Sequence, residues 1–504
     1  MDLAETDDVV LLKGCYLEAQ RSDDIALKLE GLRIALNEPS HSCLSNTIKE
    51  IGRVARRLRE LGDLAHVNRD RLLFVLDPLN LVLPCLSKTL RDIKVHYDDR
   101  SKSKQNRWRH MFHSMQREAG GLQLEAIFTI YHQFIIMLRD MIVRCPNFDV
   151  AKWETLKLQI HGLRNARGIG PPDAVQAGPL VHQGGFIPPL DPISHWAEHV
   201  FHPKYTPRVA LRNVGQTESL GPHRELGHHN IPMHSKVLFR RSFDGDKISL
   251  LAFVSSQDER VYLLLRIFKD HQPWFSLRGV HELFIQRRRS SLELRRWSRT
   301  QGQSKIWATL CFNAWEDLVL MYCTFISLKA EAGAQDLTQC GPQELSLGGE
   351  HKLFQAYVHL TQSKNNQLIK KRCISDGGYD HSLIVYQDRA TGAFRLHAAV
   401  WEGKLRQCPV WTAFGTTHTL LLKEQNHNVN TVTVNEQYMD PNWLTRVSSH
   451  KVRLKDLRLF VFCKRYREYR QRRGPAGEFQ INFVSDRAVP NFEELFYPTQ
   501  PMVY

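Results

Sequence analysis

The sequence has no C-x-x-C pair, although ten cysteines are scattered from Cys15 to Cys463. This absence argues against a zinc ribbon and a thioredoxin-type redox site, because both need closely spaced thiolates. The acidic start MDLAETDDVV lacks the basic region and the apolar run of a secretory signal. We therefore expect reduced thiols and a cytoplasmic protein, with a peripheral membrane or nuclear location as alternatives.

A long apolar run without charge is also missing. The best membrane candidate, AIFTIYHQFIIMLRDMIV at 126 to 143, is interrupted by His132, Gln133, Arg139 and Asp140. Polar residues at these positions favour a helix buried in a bundle over one that spans a bilayer. We expect no transmembrane segment.

Sequence signatures of common enzymes are absent as well. The chain contains no G-x-x-x-x-G-K-[ST] phosphate loop, no G-x-S-x-G elbow and no G-x-G-x-x-G after a strand. These absences argue against most enzyme classes. We expect a non-enzymatic protein without a cofactor.

One segment does match a metallopeptidase pattern. His195, Glu198 and His199 fit H-x-x-E-H, in which two histidines on one helical face hold zinc and the glutamate activates water. Pro192 and Pro203 leave room for about two and a half helical turns between them. We therefore expect a short docked helix with solvated histidines and no metal, and a zinc-dependent peptidase is the more distant alternative.

Positive charge is plentiful but unevenly placed. The net charge is +15, to which residues 1 to 166 contribute +3, residues 167 to 235 nothing and residues 236 to 504 the remaining +12. In residues 1 to 166 the apolar positions recur every three or four residues, as in NTIKEIGRVARRLRELGDL at 46 to 64. This periodicity predicts five or six helices packed as an antiparallel bundle.

Residues 167 to 235 differ sharply in composition from their neighbours. They hold ten prolines, eight glycines and eight histidines in 69 positions. Such a composition builds neither a long helix nor a central strand, so it predicts an extended linker. Phe186, Trp196 and Phe201 within it indicate that part of the linker docks on a neighbouring domain.

From residue 236 the apolar period changes to two, in runs of strand length. VLFRRSF, KISLLAFV, RVYLLLRIF, HELFIQRRR, LELRRWS and KIWATLCF are candidate strands. They precede NAWEDLVLMYCTFISLK, a predicted apolar-faced helix for which Asn313 and Glu316 suggest a capping box. A curved sheet closed by one such helix resembles the pleckstrin-homology-like barrel, which we expect at residues 236 to 330.

A second β-rich region is expected at residues 350 to 498. It contains candidate strands such as HSLIVYQD, AFRLHAAVW and EFQINFV and ends in PNFEELF, where Asn491 and Glu494 repeat the predicted helix cap. The repeated ending suggests a degenerate pleckstrin-homology-like domain. The predicted fold class is therefore multidomain α + β, with a helical bundle at 1 to 166, a linker at 167 to 235 and two barrel-like domains.

Several phrases resemble one group of filamentous-fungal proteins. They are CLSKTLRDI at 85 to 93, RWRHMFHSM at 107 to 115, NFDVAKWETLKLQIHGLRNARGI at 147 to 169 and the later WATLCFNAWEDLVLMYCTFISLK. The group pairs a helical N-terminal region with pleckstrin-homology-like C-terminal domains. The resemblance covers most of the chain, and it implies no activity and no functional residues.

Two arginine clusters are the remaining candidate sites. The first is Arg287, Arg288, Arg289, Arg295, Arg296 and Arg299, and the second is Lys464, Arg465, Arg467, Arg470, Arg472 and Arg473. The simplest interpretation is the solvated side of strands and loops. Clustered arginines also bind phosphate oxygens of anionic lipids, whereas no nucleic-acid-binding motif accompanies them.

The sequence thus favours an adaptor or scaffold that acts through protein–protein interaction, with partners of unknown identity. The alternative is recruitment to phosphoinositides or other anionic lipids through the first arginine cluster. Nucleic acid is the least favoured partner.

Overall fold

The computed structural model describes seventeen stretches of the chain, and structural statements concern those residues. They are 7–36, 42–170, 195–201, 206–207, 209–212, 214–227, 230–270, 272–298, 303–332, 344–361, 381–400, 407–415, 443–455, 457–462, 479–483, 485 and 487–496. The chain folds as two compact units. The first comprises Met1–Ile193, His223–Glu259 and Leu264–Leu277, and the second comprises Ser194–Pro222, Arg260–Leu263 and Arg278–Tyr504.

Helices make up the N-terminal region, as the periodicity predicts. They are α1 (Asp7–Leu36), α2 (Ser42–Val67), α3 (Leu73–Asp98), α4 (Lys104–Glu118), α5 (Leu124–Ile142) and α6 (Val150–Ala166). Helix α2 contacts both α1 and α5. Its apolar stripe includes Ile51, Leu58 and Leu61, which are completely buried. The side chain of Asp149 caps α6 by accepting from the backbone N of Lys152 at 3.0 Å, which agrees with the sequence prediction.

Helix α3 remains one helix although Pro78 and Pro84 lie inside it, where a kink or a break is expected. Pro84 has no N–H to donate to the carbonyl of Asn80, four residues earlier. The buried guanidinium of Arg164 instead donates to the carbonyls of Asn80 (3.3 Å) and Leu81 (2.9 Å). A side chain from α6 thus replaces the missing helical donor.

Among the described residues, α3 is also the one helix long and apolar enough to cross a membrane by length and composition. Just over half of the qualifying window, 56%, is buried inside the protein. Core helices pass the same test, so this match is weak support for a membrane span.

Two described parts of the linker pack against the second unit. Trp196, which precedes the four-residue helix α7 (Ala197–Val200), is buried and donates to Glu331 at 2.7 Å. Further on, β1 (Glu218–Ser219) pairs antiparallel with β8 (Gln303–Cys311). The expected docking of Trp196 is therefore confirmed, whereas Phe186 lies outside the described residues.

The first β-rich region forms two four-stranded sheets. One has the order β2-β3-β4-β5, from β2 (Lys236–Phe243), β3 (Ile248–Val254), β4 (Val261–Lys269) and β5 (Gln272–Gly279). The other has the order β1-β8-β7-β6, with β6 (Leu283–Arg288) and β7 (Ser291–Ser298). All six predicted strands fall within one or two residues of these bounds, and β8 begins two residues before the predicted KIWATLCF.

Helix α8 (Trp315–Ala332) follows β8 and is buried along almost its whole length. It contacts β6 and β7 and also β12 (Pro409–Gly415) of the second β-rich region. The predicted capping box is wrong, because the helix begins at Trp315 and both carboxylate oxygens of Glu316 accept from the backbone N of Val209, each at 3.1 Å. The carboxylate of Glu316 thus binds the docked linker at Val209 and does not cap its own helix.

The second β-rich region is an eight-stranded sheet of order β13-β14-β16-β9-β10-β11-β12-β15. Its other strands are β9 (Glu350–Thr361), β10 (His381–Asp388), β11 (Phe394–Val400), β13 (Leu444–Ser448), β14 (Lys451–Leu454), β15 (Leu457–Val461) and β16 (Phe479–Phe483). Helix α9 (Ala488–Glu494) contributes Val489 and Phe492 to the core of this sheet. It begins three residues before Asn491, so the second predicted cap is wrong as well.

These elements confirm the predicted α + β class, a helical region followed by β-rich regions. The described strands form open sheets, and within the described residues none of the sheets closes into a barrel.

Candidate functional site

The first arginine cluster lies on the β6–β7 hairpin, and the strand register divides it between two faces. Arg288 pairs with Ser291, and Phe284 pairs with Arg295, so these residues share one face. Arg287 and Arg296 lie on the opposite face, with Leu292 and Leu294. Arg299 lies outside the described residues. The alternation predicted for β7 is confirmed, and it prevents the arginines from forming one continuous surface.

Arg287 is buried and does not face solvent. Its Nη1 forms an ion pair with Asp388, and its Nε donates to the carbonyl of Arg289 at 2.8 Å. The two charged side chains are 2% and 0% exposed. A buried guanidinium with this partner is a structural group, because a lipid phosphate would have to displace the carboxylate.

The outer face of the hairpin is partly neutralised by Glu293. Its carboxylate accepts from Arg295 at 2.8 Å and from Arg288 at 3.3 Å. Arg288 nevertheless keeps 76% of its side chain exposed, and Arg289 is exposed in the turn with a positive φ of 57°. Arg288 and Arg289 are therefore the members of the cluster most available for an outside anion.

The second basic cluster, Lys464 to Arg473, lies outside the described residues. Its role in anion binding stays a prediction.

A buried charge network in the first unit was not apparent from the sequence. Asp63 of α2 accepts from Arg240 of β2 at 2.7 Å and from Arg266 of β4 at 2.6 Å. The hydroxyl groups of Tyr16 (2.9 Å) and Ser249 (2.7 Å) donate to the same carboxylate. Four donors from helices and strands thus converge on one anion.

Electrostatics explain why Asp63 remains ionised in this network. Burial alone would raise its pKa, but the guanidiniums of Arg266 and Arg240 and their hydrogen bonds hold the pKa below its ordinary value. Arg266 also lies over the ring of Phe268, 4.5 Å from its centroid. The sheet β2-β3-β4-β5 therefore carries an anion site that is already filled by a carboxylate of the helical region.

Helix α8 is tied to both β-rich regions of the second unit by further buried groups. Lys329 forms an ion pair with Glu344 at 2.8 Å and donates to the carbonyl of Leu283 on the edge of β6 at 2.9 Å. Trp315 packs edge-on against Phe414 of β12, with the ring centroids 5.4 Å apart. The helix is therefore a shared core element of the two regions.

A polar cavity of about 300 Å³ lies beside α8, over β9, β10 and β11. Its wall includes Tyr322, Tyr386, His397 and the ion pair between Arg395 and Glu350, whose two hydrogen bonds measure 2.7 and 2.8 Å. Burial, together with Arg395, lowers the pKa of His397 well below its ordinary value, so the imidazole is neutral. Arg395 and Glu350 are paired with each other, whereas Lys352 of the wall donates to the side-chain oxygen of Gln355 at 2.7 Å.

The cysteine and histidine side chains at this cavity are both neutral. Burial raises the pKa of the neighbouring Cys323 thiol to about 12, which leaves it protonated and unreactive at neutral pH. The Nδ1 atom of His397 is buried without a hydrogen-bond partner in the described structure. The wall therefore presents no activated nucleophile.

Within the described residues the H-x-x-E-H segment leads into the expected short helix, the four-residue α7. His195 precedes α7, and its Nε2 lies 3.2 Å from Glu331. Glu198 accepts from the backbone N of His195 at 2.5 Å. The described residues contain no group of three or more His, Cys, Asp or Glu side chains placed to hold a metal ion.

Two of the buried arginines can be recognised from the sequence by the apolar strands in which they lie. Arg266 and Arg395 each interrupt a mostly apolar strand, VYLLLRIFK and FRLHAAV. A charge at such a position needs a buried partner. The pattern identifies the arginine but not the carboxylate, which comes from a distant part of the chain.

Comparison with known families accounts for both β-rich regions. The family models of PH domains found in tandem in fungal proteins match residues 226–346 with the N-terminal domain and residues 367–501 with the C-terminal domain. A comparison with curated proteins gives no significant match. Tandem PH domains fit an adaptor or a lipid-binding role, and PH domains are typically not catalytic. The two matches cover just over half of the chain, which thus belongs to the fungal proteins that carry PH domains in tandem.

Proposed function

We propose that the protein is a non-enzymatic cytoplasmic adaptor that brings other proteins together. The observation that carries this choice is that three largely buried arginines of the first PH domain are neutralised by the protein's own carboxylates. Arg287 is paired with Asp388, and Arg240 and Arg266 are paired with Asp63. These arginines thus bind carboxylates of the protein itself. The outer surfaces remain available for partner proteins.

Energetics favour this interpretation over a lipid site built on the same groups. Removing one partner from a buried ion pair costs about 3–5 kcal/mol, because the other charge is left without compensation. A phosphoinositide headgroup would have to offset that cost before gaining any affinity. The packing of α8 against both β6 and β12 also favours a fixed platform over two independent lipid-binding modules.

Recruitment to anionic membrane is the second candidate, and the exposure of Arg288 and Arg289 favours it. The two candidates are separable in one set of measurements on the full chain. The first measurement is affinity purification from the native host after cross-linking, with quantitative mass spectrometry. The second is co-sedimentation with vesicles of phosphatidylcholine, with or without phosphoinositide, at physiological salt.

The adaptor proposal expects one or more proteins to co-purify in a fixed ratio to the chain, and equal pelleting with both vesicle types. It is contradicted by phosphoinositide-dependent pelleting that disappears in Arg288→Ala/Arg289→Ala without any partner protein. The pair Arg53→Ala/Arg56→Ala is the matched control, because it removes the same charge from the exposed face of α2.

A further inference from the structure

Positive charge in the helical region is concentrated on the hairpin formed by α3 and α4. Residues 88 to 118 contain nine Lys or Arg and four Asp or Glu, which gives a net charge of +5. The rest of residues 1 to 166 has a net charge of −2. The helical region is therefore electrostatically asymmetric, although its total charge of +3 conceals this.

The acidic residues of this hairpin already have cationic partners. Asp92 pairs with Arg167, Asp98 with Lys28 at 3.5 Å and Asp99 with Lys102 at 3.0 Å. Glu118 lies 3.8 Å from Arg167. Each of these four acids is therefore neutralised within the protein. The remaining cations of the hairpin need counter-ions from elsewhere.

Apart from Arg91, whose charge acts on the carboxylate of Glu18, five exposed cations of the hairpin have no ion pair with any described residue, and we call them the basic face. They are Lys94, Arg100, Lys104, Arg109 and Arg117. The two helices are held together by the rings of His96 and His110, whose centroids are 5.1 Å apart. On α4, Arg109, His113 and Arg117 recur every four residues, which places them on one exposed stripe.

Charge complementarity requires an anionic occupant, and the other side chains of the hairpin limit its class. Trp108 is only 5% exposed and the rings of Tyr97 and Phe112 are half-buried, so the hairpin has no fully exposed aromatic ring on which nucleic-acid bases could stack. Val95 is the single large apolar side chain of residues 88 to 118 that is strongly exposed, so there is no apolar face to insert into a membrane. Guanidinium groups, by contrast, bind carboxylates in a two-pronged geometry.

We propose that the basic face binds an acidic, Asp/Glu-rich segment of a partner protein. This inference rests on the adaptor function and names the partner chemistry of one of its surfaces. Its binding energy comes from several exposed pairs, each of which contributes modestly and is weakened by salt.

The test uses the full chain and a fluorescent peptide of ten glutamates, with binding measured by anisotropy at several salt concentrations. Lys94→Glu/Arg109→Glu/Arg117→Glu is expected to weaken binding at least tenfold and to flatten the salt dependence. Lys49→Glu/Arg56→Glu/Lys152→Glu changes the net charge equally at exposed positions elsewhere in the helical region, and it is expected to stay within about twofold of the natural chain. Equal loss in both triple variants, or no binding by the natural chain at low salt, would overturn the proposal.

Competing polyanions distinguish the class of partner. Vesicles with one fifth phosphatidylserine and a single-stranded oligonucleotide are titrated in the same assay. Tighter binding of either one than of the peptide, lost in the α3–α4 variant, contradicts an acidic protein partner. The peptide assay needs no knowledge of the natural partner, so its failure leaves the adaptor function standing. Peptide binding without any co-purifying protein would count against the adaptor function alone.

Discussion

At the scale of single residues, Asp63 shows how this protein uses buried arginine. The carboxylate is nearly inaccessible, yet it is surrounded by two guanidiniums and two hydroxyl groups. Four hydrogen bonds within 2.9 Å compensate the cost of burying the charge. The ionised carboxylate is therefore part of the folded state and stabilises it.

Asp63→Asn is expected to destabilise the first unit, because it leaves Arg240 and Arg266 buried without their common counter-ion. The expected cost at neutral pH is about 3–5 kcal/mol. Since the folded pKa of Asp63 lies below its ordinary value, its stabilisation is present above about pH 4 and is lost as the pH falls further. Thermal unfolding of both proteins between pH 3 and 7 measures these effects.

The natural chain should lose more stability on acidification than Asp63→Asn, because only the natural chain has this proton to bind. Asp24→Asn is a suitable control, since Asp24 is exposed on α1 and accepts from the neutral side chain of Gln20 at 3.2 Å. Identical unfolding of Asp63→Asn and the natural chain at pH 7 would disprove the role assigned to the carboxylate.

The sequence could not identify this pairing, although it identified the arginines. Arg266 and Asp63 are 203 positions apart, and only the folded chain brings them together. The same is true of Arg287 and Asp388, 101 positions apart. Arginine clusters in a sequence therefore do not distinguish a solvated strand from a set of internal ion pairs.

At the scale of secondary-structure elements, α3 depends on a side chain from another helix. Arg164 donates to two carbonyls near Pro84, one of which has lost its helical donor. Arg164→Met leaves these carbonyls without that donor, and a cost of about 1–3 kcal/mol is expected for an unsatisfied buried group. Chemical denaturation followed by helical circular dichroism measures the loss.

A second substitution makes this interpretation specific. Pro84→Ala restores a backbone N–H that can donate to Asn80, so Arg164→Met should cost less in the Pro84→Ala background than in the natural one. Equal costs in the two backgrounds would mean that Arg164 stabilises α3 for another reason.

The burial of one cysteine each in α1, α3 and α8 predicts that these cysteines react slowly. Burial raises the pKa values of Cys15 and Cys323 to about 12 and that of Cys85 to about 11. Iodoacetamide at pH 8 should therefore modify these three far more slowly than the half-buried Cys145 and Cys311, as measured by mass spectrometry over time. Rapid modification of Cys323 in the folded chain would show that α8 does not seal the core.

The elements themselves were largely predictable, because periods of 3.6 and 2 in apolar residues follow directly from helix and strand geometry. Strands β5 and β12 escaped prediction, since QPWFSLRG and PVWTAFG begin with or next to proline and do not alternate. The N-x-x-E cap at Asn313 failed because the docked linker is the partner of Glu316, and the one at Asn491 failed because α9 begins at Ala488.

At the scale of the whole molecule, the compact units do not follow the predicted domain boundaries. The division falls within the first PH domain, since residues 236–259 and 264–277 belong to the first unit and residues from 278 onward to the second. Composition predicts a linker but gives no information on long-range contacts such as those of Asp63. The residues of the arginine clusters could be found from the sequence. Whether they are accessible to a ligand could not be predicted from it.

The account depends most on the claim that Arg287 of the β6–β7 hairpin serves the fold through its ion pair with Asp388. Native-state hydrogen exchange of the amides in β6 tests it in a double-mutant cycle of Arg287→Met and Asp388→Asn, since it measures local opening in a large chain. Each single variant should reduce the free energy of opening by about 3–5 kcal/mol, and the double variant should lose clearly less than their sum. Unchanged exchange in Arg287→Met, combined with lost binding to phosphoinositide vesicles, would contradict the account and make this arginine a lipid ligand.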